Sequence, residues 1–244
     1  MEKNFWHGFE LHSFTFEDRE ACIVIPETEN KKSSFLLKTE YWDAFPDIEI
    51  KLVEQGFCLA YVKNKTRFAT KEDCDIKARF VKYISKAYNL APKCIPVGMS
   101  CGGAHAVNFA GFYPELIECM YIDAPVLNFC DFPGRLGDAE CEYVWENEFI
   151  NAYPSISRYK LLNFDNHPIN KANILIESKI PVLMVYGTED KTVKYSKNGA
   201  LLEDSYKNYP ELLTVLAVKY RGHHPHGMLG SNDPIVEYIL NNAK

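Results

Sequence analysis

The chain has 244 residues, a length that suits one large α/β domain, and its 47% hydrophobic and 25% charged residues are the balance of an ordinary folded globule. Its net charge of −6 and its lack of a basic run exclude a protein built to bind the phosphate backbone of nucleic acid. No continuous apolar stretch reaches the roughly eighteen residues of a membrane helix, so the sequence predicts no membrane partner.

The N-terminus and the cysteines indicate the compartment. The first residues, MEKNFWHG, lack the charged-then-apolar pattern of a secretory signal. Eight cysteines are scattered without CxxC spacing, so we expect reduced thiols rather than disulfides. The sequence therefore predicts a cytoplasmic protein. It implies no cofactor and carries no indication of oligomeric state.

The chain opens with short β-type runs. Residues 9–16 (FELHSFTF) and 19–26 (REACIVIP) flank Glu17-Asp18, a pattern that predicts a β-hairpin. Residues 35–38 (FLLK) form a third short apolar run after a polar turn. This part of the chain is expected to supply the antiparallel edge of a sheet.

Helical patterns then flank a buried-type strand at 57–62. Pro46 opens the first pattern, and Gly56 closes it in a C-cap position. Thr70 with Asp73 three residues later resembles a capping box. It starts a long amphipathic helix in which apolar residues recur every four positions, at Ile76, Phe80, Ile84 and Tyr88.

Strands and helices alternate over most of the remaining chain. A strand at 93–99 precedes a Gly-rich turn and a helix that runs to about Tyr113. The terminal helix begins at Asp233-Pro234. Further strands are predicted at 117–122, 181–187 and 213–218.

This order of elements predicts an α/β fold. Strands that alternate with helices favour a mostly parallel sheet, here of eight strands, with helices on both faces. No repeat or Gly/Ser linker interrupts the chain, so we expect a single domain over 1–244. The alternation breaks at about 125–178, where only weak helical patterns occur, at 138–150 and 171–178. We interpret that segment as a lid insertion, although a surface excursion without catalytic importance fits the same pattern.

The pattern GxSxG at Gly98–Gly102 points to a nucleophile. By itself the pattern is weak, but here it follows an apolar run at 94–97 and precedes a helix-compatible run at 104–110. A strand, a sharp turn with the serine at its apex and a helix are what a nucleophile elbow requires. We therefore predict that Ser100 is a catalytic nucleophile.

A serine hydroxyl needs a base, and three histidines crowd into the segment after the last strand, RGHHPHG at 221–227. His223 lies closest to the end of the strand and is the predicted base, ahead of His226 and His224. Surface histidines without a role, or a zinc site, would give the same crowding. No carboxylate lies within the segment, which disfavours the metal interpretation.

The acid that orients such a base should also follow a strand. Asp190, in GTEDKTV directly after the strand at 181–187, is the predicted acid. Glu189 is its neighbour and is interpreted as a solvated loop carboxylate. Asp123, after the strand at 117–122, is the alternative one strand earlier. The order Ser100, Asp190, His223 is the order in which α/β-hydrolases carry a triad.

On the motifs GMSCGG, YGTEDKTV and GHHPHG, the chain resembles the α/β-hydrolase superfamily over nearly its whole length. The segment GHHPHGM with DPIVEYI, together with YWDAFP and YIDAP, is similar to small bacterial esterases and to prolyl-oligopeptidase-like catalytic domains. The resemblance implies the fold and the triad, and it implies the substrate only as an ester, in some members on carbohydrate.

The expected oxyanion donors depart from the esterase pattern. The backbone N–H of Cys101, directly after the nucleophile, is the first expected donor. Many esterases carry a Gly-rich run after the third strand of the fold, but this chain has Leu36-Leu37-Lys38-Thr39 there. We assign the second donor to the backbone N–H of Lys38, with that of Leu37 as the alternative.

The predicted function is a serine hydrolase that cleaves a small-molecule carboxylic ester through an acyl-enzyme. Aromatic residues of the insertion such as Trp145, Tyr153 and Tyr159 could line its pocket or only pack the lid. A peptidase or amidase of the same fold is the alternative within the same chemistry. A catalytically silent binding protein is the alternative from another class.

Overall fold

Nine strands form one mixed sheet within residues 4–141, 144–224, 226–228 and 233–243, the part of the chain that the computed structural model describes. The strands are β1 (Asn4–Trp6), β2 (Phe9–Phe16), β3 (Arg19–Ile25), β4 (Phe35–Lys38), β5 (Cys58–Val62), β6 (Cys94–Met99), β7 (Met120–Asp123), β8 (Val182–Gly187) and β9 (Leu213–Val218). Their order across the sheet is β1-β2-β3-β5-β4-β6-β7-β8-β9. The first three strands pair antiparallel, β3 is antiparallel to β5, and from β5 to β9 all neighbours are parallel.

The predicted mostly parallel sheet is confirmed, with one strand more than the eight expected. The additional strand, β1, pairs with β2 in the register Asn4 with Leu11. Three residues are too short a run to show alternation in a sequence. Trp6 anchors the strand, because its side chain is buried and its indole N–H donates to Asp43 at 2.7 Å.

Helices lie on both faces of the sheet. They are α1 (Asp47–Glu54), α2 (Lys71–Tyr88), α3 (Cys101–Phe112), α4 (Ile150–Ala152), α5 (Ala172–Glu177), α6 (Gly199–Tyr206) and α7 (Asp233–Asn242). Short 3-10 helices occur at Pro114–Leu116, Arg158–Asn163, Pro168–Lys171 and Tyr195–Lys197, and a π-helical turn at Trp145–Phe149. None of the helices in the described ranges combines the length and the apolar character that crossing a bilayer needs.

The start of α2 follows from its capping residues. The Thr70 hydroxyl accepts a hydrogen bond from the backbone N–H of Asp73, as the sequence pattern predicts. At the other end, Asn89 adopts the left-handed conformation with φ of 53°, which terminates the helix. The predicted apolar face is buried at Ile76, Phe80 and Ile84.

Alternate residues of the parallel strands belong to two separate hydrophobic cores. In β8, Val182 and Met184 face the core formed with α2, α3, α5 and α6. Leu183 and Val185 face the core formed with α1 and α7. Because both faces of the strand are covered, its sequence reads as a continuous apolar run.

The segment between β7 and β8 has an aromatic core of its own. Phe129 and Phe149 pack with ring centroids 5.3 Å apart, and Phe149 also contacts Phe68 of the loop after β5. The cluster extends to Cys101 and Ala104 at the start of α3. Its role as a lid stays a prediction. Tyr153 packs in this cluster and Tyr159 is exposed, whereas the side chain of Trp145 lies outside the described residues.

Candidate active site

Ser100 lies at the turn between β6 and α3. Its backbone has φ of 54° and ψ of −121°, a conformation that costs energy for a residue other than glycine. The turn is tight because a Cβ on Gly98 would lie 2.3 Å from the carbonyl oxygen of Gly102. A Cβ on Gly103 would lie 2.5 Å from the Pro125 side chain. Only glycine fits these two positions, and the hydroxyl of Ser100 is held at the apex of the turn.

His223 connects this serine to Asp190. Its Nε2 lies 3.0 Å from the Ser100 Oγ, and its Nδ1 lies 2.8 Å from Asp190 Oδ2. The carboxylate can only accept, so Nδ1 carries the proton and Nε2 is free to accept the serine proton. The structure thus brings the three residues singled out as nucleophile, base and acid into one chain of hydrogen bonds.

Asp190 is fixed from two sides. Its Oδ2 faces His223, and its Oδ1 accepts hydrogen bonds from the backbone N–H groups of Thr192 and Val193, both at 2.9 Å. The side chain is almost fully buried. Its neighbour Glu189 is exposed, in keeping with a solvated loop carboxylate.

Asp123, the alternative acid, has other partners. Its buried carboxylate accepts from the Arg221 guanidinium at 2.5 Å, from the Tyr121 hydroxyl at 3.0 Å and from the backbone N–H of Gly227 at 2.5 Å. His226 Nδ1 lies 3.3 Å away. Asp123 therefore holds the histidine segment in place and leaves His223 to Asp190.

The remaining histidines lie beside the base. His224 is exposed and stacks on Phe45 with ring centroids 5.3 Å apart. Burial and then the neighbouring His223 and His226 lower the pKa of His224. One ring nitrogen from each of the three imidazoles lies within 4.8 Å of the others. The three histidines are therefore close in space as well as in sequence, with nitrogen atoms that could bind a metal ion near one another.

Cys101 is the first residue of α3. The first N–H groups of a helix have no intrahelical acceptor, so this backbone N–H is available to an oxyanion beside Ser100. The thiol itself is buried, and burial raises its pKa to about 12. Tyr41 packs in the same hydrophobic cluster as Cys101. The position of its backbone, rather than its thiol, suits Cys101 to this site.

The structure does not bring Lys38 to the oxyanion. Lys38 is a strand residue between β5 and β6, in register with Tyr61 and Val97. The N–H of Thr39 donates to Val97 at 3.1 Å, and successive strand N–H groups alternate in direction, so that of Lys38 faces β5. Its ammonium forms a buried salt bridge with Glu49. Leu37 lies still deeper in the strand and fits the role no better.

The segment after β4 was missed as part of the site. The Thr39 hydroxyl donates to the carbonyl oxygen of Gly102 at 2.7 Å, which ties this segment to the nucleophile turn. Tyr41 has a positive φ of 56° and packs in the same hydrophobic cluster as Cys101. The sequence carries no glycine at these positions to mark the change of direction.

A polar cleft of about 610 Å³ begins at Tyr41. Arg67 and Glu148 form an ion pair at its wall, with Nε 2.5 Å from a carboxylate oxygen. The rest of the wall has amides and hydroxyls from Asn64, Thr66, Thr70, Asn147 and Asn151 and charged side chains from Glu40, Lys65 and Glu72. Ser100, Asp190 and His223 do not line the cleft, and Tyr41, which packs with Cys101, connects it to the turn that carries Ser100.

A buried basic pair lies behind this cleft. Lys77 and His105 are fully buried, with Lys77 Nζ 3.2 Å from His105 Nδ1. His105 Nε2 lies 2.9 Å from the Thr66 carbonyl oxygen and 3.3 Å from the backbone nitrogen of Ala69. Burial and the adjacent Lys77 hold the pKa of His105 well below its usual value.

This pair makes the fold sensitive to acid. His105 is neutral in the folded chain, whereas in the unfolded chain it takes up a proton near pH 6.5. The unfolded state therefore binds more protons below that pH, and the free energy of unfolding falls by up to about 1.4 kcal/mol per pH unit. We expect the denaturation midpoint of His105→Gln to fall less between pH 7 and pH 5 than the midpoint of the wild type. His12→Gln, at a half-exposed site, is the control and should keep the wild-type slope. Equal slopes in all three proteins would contradict the assignment.

The chain is similar to known proteins in its structure and not in its sequence. No protein-family model matches the chain, and no curated protein matches it by sequence. Among solved structures, Pyrococcus horikoshii acylaminoacyl peptidase superposes with a TM-score of 0.75 at 16% identity, over 97% of this chain and 42% of that chain. Est1E from Butyrivibrio proteoclasticus gives a TM-score of 0.68 at 14% identity, over 95% and 98%. Staphylococcus aureus FphF, a fluorophosphonate-binding serine hydrolase, gives 0.70 at 12% identity, over 96% and 97%.

These structures define the fold. They are α/β-hydrolases, and the superpositions extend over nearly the whole of this chain. The chain therefore has the α/β-hydrolase fold, and the resemblance seen in the motifs is confirmed at that level. The chain spans less than half the length of the acylaminoacyl peptidase, so it matches one part of that protein.

Proposed function

We propose that the protein is a serine hydrolase that cleaves a small carboxylic ester through an acyl-enzyme intermediate. The observation that carries the proposal is the continuous line of contacts from Ser100 Oγ to His223 Nε2, at 3.0 Å, and from His223 Nδ1 to Asp190, at 2.8 Å. A nucleophile in reach of a base that is itself oriented by a carboxylate is the arrangement that activates a serine. The same contacts speak against a silent binding protein.

In this mechanism His223 acts twice. It removes the proton of Ser100 as the oxygen attacks the ester carbonyl, and Asp190 stabilises the imidazolium that results. The proton then passes to the leaving alcohol. In the second half His223 activates water, which releases the acid from Ser100.

The charge on the tetrahedral intermediate needs hydrogen-bond donors. The backbone N–H of Cys101 at the start of α3 is the first of them in this proposal. The second donor in this proposal is a backbone N–H of the segment after β4, at Glu40 or Tyr41. It takes the role first assigned to the N–H of Lys38. The bond from Thr39 to Gly102, at 2.7 Å, holds that segment beside the nucleophile turn.

The cleft at Tyr41 favours a polar leaving group. Amide, hydroxyl and charged side chains dominate its wall, whereas a pocket for a long acyl chain would be lined by aliphatic residues. An alcohol rich in hydroxyl groups, as in an acylated carbohydrate, matches such a wall. We therefore propose acylated sugars as the first substrates to examine, with a cytoplasmic location as predicted from the sequence.

A peptidase is the second candidate. Acylaminoacyl peptidase, by its name an enzyme of peptide substrates, superposes with a TM-score of 0.75, and an amide requires the same triad. The test compares matched substrates, acetylated and feruloylated sugars and p-nitrophenyl esters against p-nitroanilides of the same acyl group. Labelling by a fluorophosphonate probe reports an active serine independently of substrate. Faster turnover of the anilides than of the esters would favour a peptidase over an esterase. No labelling of Ser100 by the probe would support a catalytically silent binding protein.

Asp190 and Asp123, the two candidates for the acid, can be told apart by mutation. Asp190→Asn is expected to lower kcat by about 10⁴-fold, because it disturbs the tautomer and forfeits the stabilisation of the imidazolium. Asp123→Asn keeps an oxygen acceptor for Gly227, so we expect a far smaller loss of kcat, together with a lower melting temperature because Arg221 loses its charged partner. The measurement is kcat with p-nitrophenyl acetate and the melting temperature of each variant. The reverse order of kcat would assign the acid to Asp123.

A further inference from the structure

The histidines beside the base suggest a second kind of ligand. His223, His224 and His226 each place a ring nitrogen within 4.8 Å of the other two. In a tetrahedral zinc site with Zn–N bonds of 2.0–2.1 Å, neighbouring nitrogens are about 3.3 Å apart. The three rings are therefore within about 1.5 Å of a ligand set that borderline-soft cations such as Zn²⁺ prefer.

We propose that these three imidazoles form a binding site for a divalent transition-metal cation that inhibits the enzyme. The inference rests on the proposed function, since it assigns a regulation to the same site. The cation takes one nitrogen from each ring, and water completes its coordination.

Inhibition follows from the contacts of His223. Its Nδ1 faces Asp190 and its Nε2 faces Ser100, so each of its two nitrogens is engaged in the triad. A cation on Nε2 displaces the serine, and a cation on Nδ1 displaces the aspartate. In either case the imidazole no longer accepts the proton of Ser100, and the cation therefore competes with catalysis.

The surroundings give the cation access and hold the ligands near each other. His224 is exposed, so a hydrated ion reaches the cluster from solvent. Phe45 packs against both His224 and His226, with ring centroids at 5.3 and 5.4 Å. Asp123 Oδ1 lies 3.3 Å from His226 Nδ1 and orients that ring, while the charge of the carboxylate is balanced by Arg221.

His224→Ala separates this site from the triad. His224 contacts neither Ser100 nor Asp190 through any hydrogen bond among the described residues, so the basal activity of the variant should match the wild type. Loss of even an outer-shell partner weakens metal binding by about 10- to 100-fold. We expect the loss of one ligand to raise the half-inhibitory Zn²⁺ concentration by at least about tenfold.

The experiment titrates ZnCl₂ into hydrolysis of p-nitrophenyl acetate in a non-chelating buffer. The wild type should lose activity and regain it with EDTA, while MgCl₂ should have no effect because Mg²⁺ prefers oxygen ligands. His12→Ala, a histidine variant on β2 outside the cluster, should be inhibited as the wild type is. Equal Zn²⁺ sensitivity of the wild type and His224→Ala would overturn the proposal.

Calorimetry with ZnCl₂ and no substrate keeps this test independent of the enzymatic function. A binding event in the wild type that is weakened in His224→Ala supports the site even if no ester is hydrolysed. Zn²⁺ that binds with the same affinity to both proteins, or that leaves the activity of the wild type unchanged when bound, overturns it. Activation by Zn²⁺ with inactivation by EDTA would overturn both the inhibitory site and the metal-free triad.

Discussion

Ser100→Ala is expected to lower kcat for ester hydrolysis by about 10⁶-fold, the loss typical of removing the nucleophile of an intact triad. The fold should be preserved, because alanine has the same Cβ at the positive φ of 54° and the hydroxyl contacts only His223 among the described side chains. The measurement is kcat with p-nitrophenyl acetate, together with labelling by the fluorophosphonate probe and the melting temperature.

Ser205→Ala is the matched control for this variant. The Ser205 hydroxyl lies on the exposed side of α6 and bonds to the carbonyl oxygen of Leu201 at 2.9 Å, far in sequence from the turn. Its activity and labelling should equal those of the wild type. If purified Ser100→Ala kept most of its activity, the serine-hydrolase mechanism would be wrong.

His223→Ala is expected to be nearly as inactive as Ser100→Ala, because without the imidazole no group accepts the serine proton. Asp190 remains satisfied by the N–H groups of Thr192 and Val193, so the acid turn should keep its conformation. We expect His224→Ala to retain basal activity, since its ring stacks on Phe45 at the surface. The measurement is the kcat of both variants with p-nitrophenyl acetate.

The comparison of these two histidine variants also tests the metal interpretation of the sequence. A catalytic metal bound by the whole cluster would make the loss of kcat similar in His223→Ala and His224→Ala. The triad requires a difference of several orders of magnitude. Similar losses of kcat in the two variants would indicate that a bound cation, and not His223 as general base, activates the nucleophile.

The sheet could be read from the sequence because its strands carry strong local signals. The continuous apolar run at β8 is buried on both faces, and the run at 35–38 coincides with β4. The hairpin was visible because β-type runs flank the polar pair Glu17-Asp18, and both residues of the turn adopt positive φ, at 47° and 64°. The turn at Ser100 could be predicted because its tight geometry requires glycines at fixed sequence positions before and after the serine.

Other features depend on contacts between distant parts of the chain. β1 exists because Trp6 packs against Trp42 and bonds to Asp43, more than thirty residues later. The helix α6 (Gly199–Tyr206) was missed because glycine begins it, and its burial depends on α5 and β8. The assignment of Lys38 as a donor was wrong because it depends on the exact residue at which β4 ends. Successive strand N–H groups point to opposite neighbours, so an error of one residue reverses the direction of the N–H group.

The cleft could not be read from the sequence for a related reason. Its wall combines the loop after β4, the loop after β5 and the segment that contains Asn147 and Asn151. These parts are separated by up to about a hundred residues, and each of them is an ordinary polar loop by composition. Only their meeting at Tyr41 makes them one surface.

Asp123 links the two halves of the reaction centre. Its backbone carbonyl accepts the N–H of Ser100 at 2.8 Å, and its carboxylate accepts the N–H of Gly227 at 2.5 Å and the guanidinium of Arg221. A single residue of a central strand therefore fixes both the turn that carries Ser100 and the loop that carries His223. The separation of Ser100 and His223 is thus built into the sheet before any substrate arrives. In the proposed mechanism no binding energy is spent to assemble the reacting groups, and the energy of substrate contacts remains for orienting the substrate.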